Sequence, residues 1–166
     1  MSRAAFISGL AIASFAAAAP TMPEPPKLDM TGFFSGKSHA DNVIKIALHS
    51  PHRLIVDSVG GHNKEGEFVL VDTVREEGKP VRTRTWVMRP VGADHFSGSL
   101  SDAIGPVDVV VRGDSAAISY TMKDGHLKIL QEIELQGDGR SLSNHVIAKK
   151  FGLTFAHVDG TIRKVD

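Results

Sequence analysis

The sequence predicts an all-β fold, and three features of the chain from Gly32 onward support this. Runs rich in Val, Ile, Thr and Phe are interrupted every roughly eight to twelve residues by Gly, Pro, Asp or Asn, as in consecutive strands. The interruptions EEGKP, KDGH, GDGR and RGDS carry residues suited to tight turns. No segment has a convincing amphipathic helical period, since the best candidate, SDAIGPVD, is interrupted by Gly105 and Pro106.

About nine or ten strands follow one another, mostly joined by hairpins. They are NVIKIALH, HRLIVDSVGGH, GEFVLVDTVREE, VRTRTWVMRP, DHFSGSL, VDVVVRG, AAISYTMK, HLKILQEIELQ, SLSNHVIAKK and LTFAHVDGTIRKV. Such strands must pack face to face or close on themselves, because open edges invite aggregation. We therefore expect a lipocalin-like (calycin-type) antiparallel barrel of about eight to ten strands, with a two-sheet sandwich as the alternative.

Alternation of residues assigns the two faces of several strands. In HLKILQEIEL one face carries Leu127, Ile129, Gln131, Ile133 and Leu135. In AAISYTM one face carries Ala116, Ile118, Tyr120 and Met122. These faces are predicted to point into the core.

Residues 1–19 predict a secretory signal peptide. The basic start MSR, the apolar run FISGLAIASFAAAA and the small residues that end it fit such a leader. The run is shorter than the roughly 20 residues of a membrane-spanning helix. Residues 20–31 contain four of the eight prolines and predict a tether, which leaves 32–166 as the barrel domain. We therefore expect a periplasmic protein with no integral membrane span.

Composition narrows the classes of function. The chain has 19 basic and 19 acidic residues and a formal net charge of zero, so it predicts neither a nucleic-acid nor an anionic-membrane partner. It contains no cysteine, which excludes disulfides, a lipobox and a cysteine nucleophile. The motifs G-x-S-x-G and H-E-x-x-H, the Walker loop and the glycine-rich dinucleotide fingerprint are absent. We expect no cofactor.

Three histidines occur within the stretch ALHSPHRLIVDSVGGH and raise the question of a metal site. Ser50 and Pro51 predict a hairpin corner, with His49 ending one strand and His52 beginning the next. His62 then lies at the far end of the second strand, roughly 30 Å from His52. This spacing does not suit a shared metal, and we expect none.

The strand VRTRTWVMR is unusual because Arg82, Arg84, Trp86 and Met88 share one face. Arg84 either directs its guanidinium into a barrel or lies on an exposed face where arginine stems cover the indole ring.

Two further segments contain candidate polar residues. Asp102 precedes a predicted compact loop, 103–106, and acts either as a turn residue or as the partner of an inward arginine. Asn144 and His145 lie on opposite faces of one strand, so only one of them can enter a cavity.

The chain resembles an uncharacterised family of bacterial exported proteins and putative lipoproteins, a domain of unknown function with a lipocalin-like fold. The resemblance lies in FFSGK, Arg84-Thr85-Trp86, HFSGSLSDAIGP, AAISYTM, SNHVIAKKFG and the closing TIRK, in the same order along nearly the whole mature chain. The family's Asp-Asp-Trp strand is replaced here by LKILQEIEL, and its Asn-Arg pair by Asn144-His145. The resemblance implies a barrel and an exported location but supplies no reaction.

The leading hypothesis is a periplasmic binding protein for a small apolar or amphipathic molecule. Its predicted ligand-binding residues are Arg84, Trp86, Asp102, Tyr120 and Asn144. Further residues available to line a cavity are Phe34, Met88 and Met122.

Two alternatives belong to other classes of function. One is a cofactor-independent isomerase or lyase with Asp102 or His145 as the base and Arg84 as the anion stabiliser. The other is an envelope scaffold protein whose barrel interior is filled.

Overall fold

The computed structural model describes residues 26–165, which form a closed barrel of ten antiparallel strands. The strands are β1 (Gly36–Ile46), β2 (His52–His62), β3 (Phe68–Glu76), β4 (Arg82–Gly92), β5 (His95–Leu100), β6 (Ala103–Arg112), β7 (Ser115–Met122), β8 (Lys128–Leu135), β9 (Ser141–Lys150) and β10 (Leu153–Val165). Each strand pairs with the next, and β1 closes the barrel by pairing with β10. The predicted barrel is confirmed, and the sandwich alternative is wrong.

Several strand boundaries agree with the sequence prediction. The strands β2, β9 and β10 begin and end at the predicted residues. The largest difference is β1, which begins at Gly36, six residues before the predicted start, and ends at Ile46. The strand β6 begins at Ala103, within the predicted loop 103–106. Its register with β7 shifts between Ile104 and Asp108, and Gly105 has a φ of 72°. A bulge thus accommodates the glycine and Pro106 within a strand, which explains why turn residues did not end it.

A short helix, α1 (Met30–Phe34), precedes the barrel. The carboxylate of Asp29 caps it by accepting a hydrogen bond of 2.9 Å from the backbone N–H of Gly32. Leu28 is buried, and its N–H donates to the carbonyl of Gly113 at 2.8 Å. Residues 28–31 of the predicted tether therefore belong to the folded unit. A helix of five residues is too short to leave a periodic pattern in the sequence.

The segment containing α1 lies across one end of the barrel, here called the α1 end. Gly60 allows this close approach, because a Cβ at that position would lie 2.2 Å from the carbonyl oxygen of Phe34. The opposite end, called the far end, carries the turns that follow β1, β3, β5, β7 and β9. A short 3₁₀ turn, Asp124–His126, lies in the turn after β7.

The predicted inward faces are confirmed. The buried residues of β7 and β8 include Ala116, Ile118, Tyr120, Ile129 and Ile133. None of the helices formed by residues 26–165 is both long enough and apolar enough to span a bilayer. The predicted signal peptide, 1–19, and residues 20–25 lie outside the described residues.

Candidate functional site

The barrel encloses a cavity of about 120 Å³ below α1. Most of its wall is apolar. The apolar lining residues are Met30, Phe34, Ala40, Val56, Phe68, Leu70, Trp86, Met88, Phe96, Val109, Ile118 and Ile162. The polar lining residues are Thr31, Asn42, Ser58, Asp72, Arg84, Gln131 and Asn144. An apolar enclosure with a few convergent polar groups is the usual form of a small-molecule site.

The first of two clusters of polar side chains in the cavity wall is a row across β2, β3 and β4. Ser58 is in register with Asp72, and Asp72 with Arg84, so all three point inward at one level. The two carboxylate oxygens of Asp72 accept from Ser58 Oγ at 2.7 Å, Arg84 Nε at 2.8 Å and Trp86 Nε1 at 2.8 Å. Asp72 is 3% exposed, and these three donors compensate for the loss of water around its charge.

Arg84 is held as a cation within this row. Burial by itself disfavours the charged guanidinium, but the neighbouring Tyr120, Asp72 and Asp102 outweigh it and raise the pKa of Arg84 above its usual value. The guanidinium carbon also lies 5.1 Å from the centre of the Trp86 ring, within the range of a cation–π contact. The side chain of Arg84 is therefore fixed in position by both polar and aromatic contacts.

Tyr120 packs against Trp86, a residue of the cavity wall. Its ring meets that of Trp86 edge to face, with a centroid distance of 5.4 Å. Burial raises the pKa of the Tyr120 phenol, although Arg84 opposes this shift. Tyr120 therefore contributes to the position of Trp86 and Arg84 without lining the cavity itself.

The second cluster of polar side chains lies on the opposite side of the barrel and consists of side-chain amides joined by hydrogen bonds. Gln131 Nε2 donates to Asn144 Oδ1 at 2.7 Å, and Asn144 Nδ2 donates to Asn42 Oδ1 at 2.8 Å. Asn42 and Asn144 lie on β1 and β9, which are separated by β10, and both are in register with Gly160. A Cβ on Gly160 would lie 2.4 Å from Asn42 Oδ1, so the bridge depends on the missing side chain.

Three of the five predicted ligand-binding residues line one cavity. They are Arg84, Trp86 and Asn144. The inward alternative for Arg84 is confirmed, since Trp86 is buried and the side chain of Arg84 is 17% exposed. Arg82, at the start of the same face, is exposed. Phe34 and Met88 also line the cavity, whereas Met122 does not.

Asp102 lies outside the cavity lining, in the turn between β5 and β6. Its Oδ2 is 3.9 Å from Arg82 Nη1, and its Oδ1 is buried without a hydrogen-bond partner. The prediction that Asp102 contributes to the cavity wall is wrong, because the β5–β6 turn places it at the far end. It is close enough to Arg84 to favour that residue's charged form.

His145 cannot serve as a base in the cavity. It lies on the outer face of β9, where Nδ1 is 2.5 Å from Asp159 Oδ1 and about half of its side chain is exposed. Asn144, its neighbour on the inward face, is the residue that enters the barrel. The acid–base arrangement predicted from Asp102, His145 and Arg84 is therefore not assembled.

The residue at the centre of the polar row, Asp72, was not predicted from the sequence. Asp72 follows Phe68 and Leu70 on the alternating inward face of FVLVDTVRE, and a lone carboxylate on such a face was the available signal. Ser58 and Asn42 had no comparable signal, because small polar residues are common on either face of a strand.

The predicted histidine hairpin is present, but His49 lies in the turn because β1 ends at Ile46. His52 and His62 occupy opposite ends of β2. His52 Nε2 lies 2.9 Å from Glu76 Oε1, whereas the ring of His62 packs edge to face against Phe68. Within residues 26–165, no three His, Cys, Asp or Glu side chains are arranged to hold a metal ion.

The fold and this cavity define a lipocalin-like β-barrel protein. More particularly, the chain belongs to the DUF3833 family, described as a protein of unknown function, whose model matches residues 7–164. No curated protein is significantly similar to it in sequence.

Solved structures of other proteins have a similar barrel fold. A DUF3598-family protein of unknown function from Nostoc punctiforme has 14% identity and a TM-score of 0.57, over 88% of this chain and 53% of that one, so the present chain spans about half its length. Rv2717c from M. tuberculosis has 14% identity and a TM-score of 0.61, over 81% and 94% of the two chains. The S-type phycobiliprotein lyase CPES from Guillardia theta has 4% identity and a TM-score of 0.62, over 82% and 90%. At these identities the likeness concerns the fold.

Proposed function

We propose that this chain is an exported binding protein that holds a small amphipathic molecule in its barrel cavity. The observation that carries this proposal is a mainly apolar cavity in the barrel with ordered polar groups on two opposite walls. The leader-like sequence of residues 1–19 supports export and a periplasmic location.

The size of the cavity sets the size of the ligand. A volume of about 120 Å³ is below that of an engineered protein cavity of about 150 Å³ that binds benzene. The apolar part of the ligand is therefore about one small ring or one short alkyl chain. A long-chain lipid is larger than this volume and is not the expected ligand.

The polar walls define the rest of the ligand. Arg84 uses Nε for Asp72, and the remaining N–H donors of its guanidinium are on the Nη atoms. On the opposite wall, the carbonyl oxygen of Gln131 is an acceptor, because this residue donates to Asn144 through Nε2. A hydroxyl, carbonyl or carboxylate of the ligand can accept from the Arg84 guanidinium, whereas only an O–H or N–H of the ligand can donate to the carbonyl oxygen of Gln131. The Asp72–Arg84 ion pair is neutral overall, so a full charge on the ligand is not required.

Binding is measured by fluorescence of Trp86, which is the only tryptophan and lines the cavity. Cyclohexanol, cyclohexanecarboxylate and hexanoate are suitable probes because they do not absorb where tryptophan emits. We expect a saturable change with at least one of them and a much weaker response to dodecanoate.

A matched pair of variants tests whether the probe occupies the cavity. Ala40→Leu fills space in the cavity wall, whereas Ala117→Leu makes the same change on the exposed face of β7. We expect the first variant to abolish the response and the second to preserve it. Equal binding by both variants places the probe elsewhere and refutes the proposal. No response to any probe in the wild-type chain favours the scaffold alternative.

A further inference from the structure

Two neighbouring turns at the far end of the barrel expose large apolar side chains. Leu48, in the turn after β1, is 106% exposed, and Phe151, in the turn after β9, is 94% exposed. Leu153 is 75% exposed and Phe155 is 38% exposed. The backbone N–H of Ala47 donates to the carbonyl of Phe155 at 2.9 Å, which joins the turn after β1 to the start of β10. We call Leu48, Phe151, Leu153 and Phe155 the tip.

The backbone conformation at the tip is unusual for the residues it carries. Leu48 has a φ of 65° and Phe151 a φ of 51°, in the left-handed region that favours Gly and Asn. Phe151 is followed by Gly152 at a φ of 82°, so the pair occupies a turn in which Asn-Gly is the usual sequence. Folding alone therefore favours a small polar residue at each position. Large apolar residues that are strained and also exposed point to a role outside the fold.

The charge around the tip is positive. Segments 44–51 and 147–157 contain Lys45, Lys149 and Lys150 and two histidines, but no Asp or Glu. Within residues 26–165 these lysines form no ion pair, and the ammonium of Lys150 lies 5.9 Å from the centre of the Phe151 ring. The net charge of zero for the whole chain hides this local excess.

The nearest acidic side chains offset only part of the excess. Glu76, at the end of β3, is engaged by His52 and Lys79. Glu77 accepts from the backbone N–H of Arg53 at 3.2 Å, which leaves its negative charge in place. Asp124 lies in the turn after β7, near Lys150, since a Cβ on the adjacent Gly125 would be 4.0 Å from Lys150 Nζ.

From this arrangement we infer that the tip docks the barrel on an anionic lipid surface. Leu48 and Phe151 enter the boundary between headgroups and acyl chains, while the lysines bind lipid phosphates. The tip has apolar side chains surrounded by basic ones. This arrangement complements a membrane whose anionic headgroups lie above apolar acyl chains. This inference is independent of the cavity, which lies towards α1.

The absence of cysteine allows a single label to be placed at either end of the full chain. Leu153→Cys at the tip and Val91→Cys at the end of β4, near the α1 end, are each labelled with an environment-sensitive nitrobenzoxadiazole dye. With vesicles of phosphatidylcholine and phosphatidylglycerol, we expect a blue shift of the dye at position 153 and little change at position 91. Phosphatidylcholine alone is expected to give a much smaller shift.

Substitutions at the tip distinguish an effect on vesicle binding from an effect on the stability of the fold. Phe151→Asn suits the turn better, so we expect an unchanged or higher melting temperature and a vesicle partition coefficient lowered about tenfold or more. Leu48→Asn is expected to act in the same direction. The double variant Lys149→Gln/Lys150→Gln is expected to weaken binding to anionic vesicles by roughly fivefold per lysine at low salt. Val91→Ser removes exposed apolar surface near the α1 end and serves as the control.

Three results overturn the inference. Equal blue shifts at positions 153 and 91 indicate binding that does not depend on the tip. An unchanged partition coefficient for Phe151→Asn also indicates that vesicle binding does not depend on the tip. Self-association that Phe151→Asn abolishes, without a vesicle-induced shift at position 153, makes the tip a contact between copies of the chain.

Discussion

Replacing Asp72 by Asn tests whether the buried ion pair organises the cavity wall. Asn keeps the shape of the side chain, and its amide can still bond Ser58, whose hydroxyl can accept as well as donate. Arg84 and Trp86 can both still donate to the remaining carbonyl oxygen. The substitution therefore removes the nearest counter-charge of Arg84 while it preserves most hydrogen bonds.

The expected cost follows from the burial of the pair. The side chains of Asp72 and Arg84 are only 4% and 17% exposed, and breaking such a pair from one side costs about 3–5 kcal/mol. With an m-value of about 2 kcal/mol/M, this lowers the urea midpoint by about 1.5–2.5 M. The loss is a large part of a total stability of about 5–15 kcal/mol.

The assay is urea unfolding at neutral pH, followed by circular dichroism because Trp86 itself contacts the substituted residue. The double variant Asp72→Asn/Arg84→Met removes both charges and is expected to cost less than the sum of the single variants, by about 1.5 kcal/mol or more. A loss below about 1 kcal/mol for Asp72→Asn, or strictly additive losses, refutes the view that this pair is coupled and desolvated.

Two further predictions concern stability. Gly160→Ala places a Cβ 2.3 Å from a backbone carbonyl oxygen and 2.4 Å from Asn42 Oδ1. We therefore expect the free energy of unfolding, measured by heat or urea, to fall by about 1–3 kcal/mol. Gly61→Ala, where a Cβ would have no atom within 4 Å, is the control and is expected to lose far less. His52 bonded to Glu76 has a pKa raised above 6.5, and Glu76 has a pKa below 4.5 because its bonds to His52 and a lysine outweigh burial. The His52 contribution is complete below about pH 6.5 and lost as the pH rises through the folded-state pKa, whereas that of Glu76 is lost on strong acidification. The urea midpoint of the wild type should therefore exceed that of His52→Gln by more at pH 6 than at pH 8.5, and a pH-independent difference contradicts the assignment.

The sequence determined the strands and their faces because a strand's side chains alternate between two faces with a period of two. The inward face of β7, with Ile118 and Tyr120, follows from that alternation. The same alternation placed Arg84 and Trp86 on one face of a strand and Asn144 and His145 on opposite faces of another. Turn residues marked most of the hairpins because tight turns require backbone conformations that few residues adopt.

Which side chains come into contact depends on how the strands pair in the closed barrel. The contact of Asp72 with Arg84 depends on the register of β3 against β4, and the bridge from Asn42 to Asn144 depends on barrel closure across β10. Alternation specifies a face but not a register between distant strands, so neither contact follows from local pattern. The helix α1 was missed because its position depends on the space above Gly60, which exists only after the barrel has closed.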